Sequence, residues 1–316
     1  MQILFAGSPG IAVPALEAVA TMGANAEGFT LVGLLTNPDR AKGRSGRPEP
    51  TECAAAIRAF APSIPVLNPE KLDNVAINQV ATLKPDLLVS FAYGTIFSQK
   101  FLNLFPLGGI NIHPSLLPKY RGPTPIPAAI ANRESETGLT IQKLAEKMDS
   151  GDILVQETVP LDGRETTVGL SETMAQKSAL LLPAVLRGIA GGTLEARQQD
   201  HGAATYCHLL TKEDGIIAWE QSAPEIEARI RAFTPWPLCW TMHGELQLSI
   251  LKAEALNDTG NAKPGQVLGK DRDKGILIQT GNGILAASEL QYQAKKVLNW
   301  NVFLNGARNF IGTQLG

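Results

Sequence analysis

Gly109-Ile110-Asn111-Ile112-His113-Pro114-Ser115-Leu116-Leu117-Pro118, continuing as Lys119-Tyr120-Arg121-Gly122-Pro123, is the stretch around which the rest of the chain is organised. Its apolar-flanked start reads as a short buried strand. Asn111 and His113 lie two residues apart, so their side chains point to the same face. Pro114 and Pro118 lack a backbone donor and constrain the residue before them, so the strand ends there. An amide and an imidazole at the carboxyl end of a strand, in the first turn of a loop, occupy the place where open α/β sheets keep their chemistry.

Upstream, the chain alternates strands and helices. Residues 2–7 read as a strand ending in Gly7-Ser8-Pro9-Gly10, followed by helical periodicity over 11–22. The G-x-G-x-x-G spacing is absent and Pro9 removes one N–H, so the glycines indicate a tight turn rather than a phosphate cradle. A strand over 30–36 leads into Asn37-Pro38-Asp39-Arg40-Ala41-Lys42-Gly43-Arg44-Ser45-Gly46-Arg47-Pro48. Four cations within eight residues, with two glycines and almost nothing apolar, predict a basic surface loop. It is either simply solvated or a flap that grips phosphates. No Walker pattern occurs in it. A helix over 51–61, a strand over 65–67, a helix over 73–83 and a strand over 86–91 that runs out into Ala92-Tyr93-Gly94 continue the alternation expected of a parallel sheet.

Downstream, a helix over 124–133, a strand over 138–144, a Met148-Asp149-Ser150-Gly151-Asp152 turn, a strand over 153–159 and a long helix over 168–189 are predicted, with a kink at Pro183 and a stop at Gly191-Gly192. Periodicity then fades into polar residues. From about residue 212 the pattern becomes one helix capped by Ser222, five short strands (238–242, 246–255, 265–270, 275–280 and 283–290) and a final helix over 297–308. The expectation is an α/β, Rossmann-like, mostly parallel sheet domain over 1–192, a linker over 193–211 and a small β-barrel domain over 212–316, with an OB-like barrel as one option.

Composition narrows the class. With 316 residues, 44% hydrophobic and 18% charged, and a mean hydropathy near zero, the chain is ordinary globular material. It has no apolar run long enough to span a bilayer and no basic, apolar leader at its start. Cys53, Cys207 and Cys239 are odd in number and widely spaced, which predicts reduced thiols and a cytoplasmic location. The net charge of −2 offers no overall basicity for nucleic acid. Residues 205–316 are neutral, eleven Lys and Arg balancing eleven Asp and Glu. Lys295-Lys296 is the basic pair there.

Of four histidines, only His113 precedes residue 193. A lone histidine near a core is more often structural than catalytic, but this one has company. Asn111 shares its face, and the turn at Asp149 offers a carboxylate. No second histidine or cysteine stands at metal-ligand spacing, and Ser115 lacks a G-x-S-x-G elbow. An amide, an imidazole and a carboxylate without nucleophile or metal suit an acyl transfer in which the substrate's own amine attacks.

The run NIHPSLLPKYRGPTPI, with MDSGDI downstream, resembles the signature of the folate-dependent formyltransferases. That resemblance implies Asn111, His113 and Asp149 as the catalytic set and 10-formyltetrahydrofolate as the donor. It also implies a folate site lined by Ser115, Leu116, Leu117 and Pro118 with Phe91, Ala92, Tyr93 and Gly94. FAGSPG, TNPDRAKGRSGRP and AFTPWPLCWT extend it over the whole chain to those members that formylate initiator methionyl-tRNA, where an arginine of the loop contacts the acceptor end. Arg44 is the match, with Arg40 and Arg47 as alternatives; Lys42, Lys295 and Lys296 add local charge, and no metal is implied. Two positions depart from the usual pattern, Pro114 after the histidine and Gly10-Ile11 in place of Asp-Phe. The resemblance implies a monomer acting on tRNA away from membranes. Rival readings are an enzyme formylating a small molecule, a formyltetrahydrofolate hydrolase using water, and a non-catalytic RNA-binding protein built on the barrel.

Overall fold

The computed structural model describes residues 1–25, 28–41, 46–258 and 260–316. Two compact units emerge, one of Met1–Pro125, Thr137–Pro160 and Ser171–Cys207, the other of Ile126–Glu136, Leu161–Leu170 and His208–Gly316. The chain runs through β1 (Gln2–Gly7), α1 (Val13–Ala24), β2 (Thr30–Leu35), β3 (Arg40–Ala41), β4 (Pro48–Glu49), α2 (Glu52–Phe60), β5 (Val66–Leu67) and α3 (Asn74–Thr82). It continues as β6 (Leu87–Phe91), α4 (Gln99–Leu102), β7 (Gly109–His113), α5 (Pro125–Ala131), β8 (Glu136–Lys143), β9 (Ile153–Pro160) and α6 (Thr167–Ala190).

In the first unit seven of the described strands form one sheet in the order β5-β2-β1-β6-β7-β8-β9, and β3 and β4 pair separately. Pairing is parallel from β5 through β7 and antiparallel between β7 and β8. This is the mostly parallel, Rossmann-like sheet the alternation predicts. Its central strands are buried on both faces: Ile3 to Ala6 of β1 and all five residues of β6 carry almost no exposed surface. Each such Leu, Val or Phe contributes roughly 1.5–3 kcal/mol by leaving water. Helix starts follow their caps. Thr51 Oγ1 accepts from Ala54 N (3.2 Å), and Asp73 Oδ1 accepts from Val75 N (2.9 Å) and Ala76 N (3.1 Å).

The order of strands reverses direction between β1 and β6, and the crevice at such a switch point lies beyond the carboxyl ends of the strands. Two devices shape that edge. An aromatic ladder, Tyr93–Phe97–Phe101–Phe105, with ring centroids 5.3–5.5 Å apart, pins the chain after β6 to α4. Asn37, just before the basic loop, donates from its side chain to Tyr93 O (3.0 Å) and from its backbone to Ser8 Oγ (3.1 Å). The base of the loop is closed by the antiparallel ribbon of β3 and β4, with Arg40 opposite Glu49.

In the second unit, α7 (Ala223–Phe233) precedes β10 (Cys239–His243), β11 (Leu246–Leu256), β12 (Val267–Asp271), β13 (Gly275–Gln279), β14 (Ile284–Tyr292), β15 (Leu298–Asn299) and α8 (Trp300–Gly306). Glu225 accepts from both N (2.8 Å) and Oγ (2.6 Å) of Ser222 at the start of α7. The strands form an antiparallel sheet in the order β10-β11-β14-β13-β12, with β15 on β14. The five expected strands are present, each within two residues of its expected start. This is the second, antiparallel domain that the turn pattern predicts, and among the described residues β10 and β12, the two ends of that order, are not hydrogen-bonded to each other. The register of β11 against β14 shifts between Ile250 and Ala253, the irregularity of a β-bulge.

One end of this sheet carries an aromatic cluster in which His243 meets Tyr292, through Nδ1 and Oη at 2.6 Å, and packs edge-on against Phe310. Burial lowers the pKa of His243 below its ordinary value of 6.5. The unfolded chain therefore takes up a proton below that pH which the folded unit resists, so stability falls as pH drops from 6.5 through the lower folded-state value. Urea midpoints measured between pH 7.5 and 5 are expected to fall less steeply for His243→Phe than for the native chain. Equal slopes would show that this ring does not contribute.

Candidate active site

β7 delivers Asn111 and His113 to one face, and the register shows what lies beside them. Asn111 stands opposite Gln142 of β8, and His113 opposite Thr140. The connection from β8 to β9 then brings Asp149 back over this pair. Gly151, two residues on, lies so close to β8 that a Cβ there would be 1.9 Å from Lys143 O, so only glycine lets the turn close.

Asp149 is the point of convergence. Its Oδ1 accepts from Asn111 Nδ2 (3.3 Å) and from Gln142 Nε2 (3.1 Å), and its Oδ2 accepts from Gly122 N (2.8 Å). Oδ2 also lies 3.6 Å from His113 Nδ1, with both side chains largely buried. The other ring nitrogen, Nε2, is 2.8 Å from Tyr120 O. Both imidazole nitrogens thus face oxygen acceptors, and a carbonyl can only accept, so Nε2 carries a proton in this arrangement. Gly122 holds φ at +118°, and a Cβ there would be 2.2 Å from Cys207 O. The loop after β7 is thereby fixed so that its N–H reaches the carboxylate.

That loop is anchored from the strands beneath it. Thr140 Oγ1 donates to Ser115 O (2.6 Å) and accepts from Leu117 N (3.2 Å), while Gln156 Nε2 donates to Leu117 O (2.9 Å). Ser115 is fully buried and its hydroxyl donates to Lys119 O (2.7 Å), turned away from any nucleophilic role. Leu117, Phe91 and Tyr93 are buried too, whereas Leu116 and Pro118 are half-buried and Ala92 and Gly94 exposed. Burial pushes the Tyr93 phenol up to about 12, which keeps it neutral. Cys207, raised mainly by burial, is not an activated thiol.

The structure brings Asn111, His113 and Asp149 together. Arg40 and Arg47 are exposed at the stem of the basic loop, and Lys295 and Lys296 are exposed between β14 and β15 in the second unit. Lys42 and Arg44 lie outside the described residues. Gln142 and the Gly122 N–H went unseen in the sequence. The available signal was Thr140 and Gln142, two polar residues at i and i+2 that alternate with Leu139 and Ile141. Among the described residues no group of three or more His, Cys, Asp and Glu is placed to hold a metal ion, and no helix is long and apolar enough to cross a membrane.

Residues 1–186 match the formyl transferase family model, and residues 209–308 match the formyl transferase C-terminal domain. The chain is 48% identical to the methionyl-tRNA formyltransferase of Treponema denticola over 98% of both chains. It is 41% identical to that of Chloroflexus aggregans over 97% of both. Among solved structures, it resembles an N-formyltransferase from Helicobacter canadensis in complex with folinic acid and dTDP-3-aminofucose, with a TM-score of 0.65 and 20% identity over 90% of this chain and 98% of that one. HypX from Aquifex aeolicus in complex with tetrahydrofolic acid matches with a TM-score of 0.65 and 17% identity over 98% of this chain and 48% of that one. The structural likenesses support the fold, and the sequence relationship goes further: the chain belongs to the methionyl-tRNA formyltransferase family of formyl transferases.

Proposed function

We propose that Asn111, His113 and Asp149 carry out transfer of the formyl group of 10-formyltetrahydrofolate to the free amino group of methionyl initiator tRNA, giving formylmethionyl-tRNA for translation initiation. The observation that carries this reading is their convergence, an amide, an imidazole and a carboxylate within hydrogen-bonding or ion-pairing reach of one another at the end of β7, in a chain of this family.

The amine nitrogen attacks the formyl carbon, an N–C bond forms, and the carbonyl electrons move onto oxygen. Asn111 has two amide hydrogens, one directed to Asp149, and the other is given to the developing oxyanion. Losing one such donor elsewhere costs about 3 kcal/mol. His113, paired with Asp149, sets positive charge beside that oxygen. The attacking nitrogen becomes an ammonium and must lose a proton, and N10 must gain one before the C–N10 bond breaks; His113 and Asp149 are the proton-carrying pair. Holding donor and acceptor together supplies much of the remaining acceleration. Leu116, Pro118, Ala92 and Gly94, with the backbone of Ser115, Leu117, Phe91 and Tyr93, line the folate site in this reading.

The basic loop, through Arg40, Lys42, Arg44 and Arg47, takes the acceptor end of tRNA. Lys295 and Lys296 add charge on the second unit, which we read as an OB-like fold. The enzyme works as a cytoplasmic monomer. Purified protein supplied with labelled formyl donor and Met-tRNA, glycinamide ribonucleotide or water as acceptor is expected to label Met-tRNA alone. Silence with Met-tRNA, or label only in another product, overturns the reading. Changing Arg40, Lys42, Arg44 and Arg47 together to Gln is expected to raise KM for tRNA and leave KM for folate unchanged. The slope of log affinity against log salt should fall by roughly 0.7–0.9 for each phosphate that the loop no longer neutralises. An unchanged slope would remove the loop from tRNA binding.

A further inference from the structure

Arg121, in the loop that follows β7, is 3% exposed, and its donors go to neutral acceptors. Nε (3.2 Å) and Nη2 (2.7 Å) both donate to Gln199 Oε1, Nη1 donates to Tyr206 Oη (3.2 Å), and Nη2 donates to His201 Nδ1 (2.9 Å). A guanidinium has no acceptor, so Gln199 must present its oxygen to it and its NH2 the other way. That NH2 donates to Gln142 Oε1 (3.1 Å), Asp149 O (3.0 Å) and Gly151 O (2.6 Å). Gln142, its oxygen thus engaged, has its own NH2 committed to Asp149 Oδ1. Gln199 is 5% exposed and Gln142 is 1% exposed.

We infer that Gln142 and Gln199 are positioning residues: a one-way chain of amide hydrogen bonds, its direction set by the donor-only Arg121, aims the Asp149 carboxylate at His113. The inference rests on the catalytic reading of Asp149 given above. Reversing either amide would set oxygen against oxygen or NH2 against a guanidinium, so the orientation at the carboxylate is dictated from Arg121, two amides away. The chain has three consequences at Asp149. Its Oδ1 is occupied by Gln142 together with Asn111, which leaves Oδ2 as the oxygen toward His113. Its backbone carbonyl is held by Gln199, which fixes a residue whose φ is +52°. A buried cation and a buried carboxylate are linked through groups that polarise one another in the same sense.

The test uses the full chain. Gln142→Met keeps the volume and removes the donor to Asp149, while Asn111 and Gly122 still hold the carboxylate. It is expected to lower kcat about tenfold, as for loss of a hydrogen bond to a charged group, with KM for folate and for Met-tRNA unchanged. Because the effect passes through the carboxylate, adding Gln142→Met to Asp149→Ala should leave the residual rate of that variant unchanged. Rates are taken per folded molecule, and Gln142→Asn, which keeps an amide but shortens its reach, is read in the same way. Full kcat in both Gln142 variants overturns the inference, as does an equal tenfold loss in the Asp149→Ala background, which would mark general structural support. Full activity in Asp149→Ala itself would instead overturn the catalytic reading, so the two failures are told apart.

Discussion

His113→Ala and Asn111→Ala each lower kcat by about two to four decades, the range for loss of a proton-transferring side chain or an oxyanion donor, while the folded fraction and the KM values stay near those of the native chain. His113 is 4% exposed, so truncation leaves a cavity lined by Tyr120 O and Asp149, both polar enough to take water. Asn111 is half-buried at the same strand end and its loss costs still less in packing. A rate effect that is large while the urea midpoint is nearly unchanged is the signature of chemistry. A collapse of folding with unchanged turnover per folded molecule would instead make His113 a structural histidine. Steady-state kinetics beside urea unfolding of the same preparations distinguishes the two.

Asp149→Asn is expected to be nearly as damaging, although it preserves shape. Every partner of the carboxylate is a donor: Asn111 Nδ2 and Gln142 Nε2 on one oxygen, Gly122 N on the other. An amide must turn its NH2 toward one of these sets, placing donor against donor, and it also removes the negative charge beside His113. The expected result is a loss of about two to three decades in kcat with about 1–3 kcal/mol of stability, the cost of a buried donor left without its acceptor. Were Asp149→Asn to retain native turnover, neither the charge nor the acceptor pair would matter to the reaction.

How much of this could be read beforehand depended on how local the cause was. The end of β7 was readable because two prolines and a period of two act within ten residues. Asp149 was readable through the family pattern, and its place in a turn agreed. Gln142 was not, because a glutamine alternating with apolar residues looks the same whether its face meets water or a buried carboxylate. Gln199 was hidden by its neighbours: Arg197-Gln198-Gln199-Asp200 reads as solvated linker, yet its third residue is buried against Asp149 and Gly151, a placement set by partners 50 and 48 residues away. The second unit repeats the lesson. Turn residues located its five strands, but whether its two outer strands pair is a long-range matter that turn chemistry does not decide.

Single-turnover transfer of a labelled formyl group to Met-tRNA by a variant carrying Asn111→Ala, His113→Ala and Asp149→Ala together tests most directly whether three side chains act as one unit on one carbon. Groups that work as a unit are not additive, so the triple variant is predicted to be about as slow as the slowest single variant and no slower. Losses that multiply across the three substitutions, or a triple variant that still transfers formyl at the native rate, would contradict it.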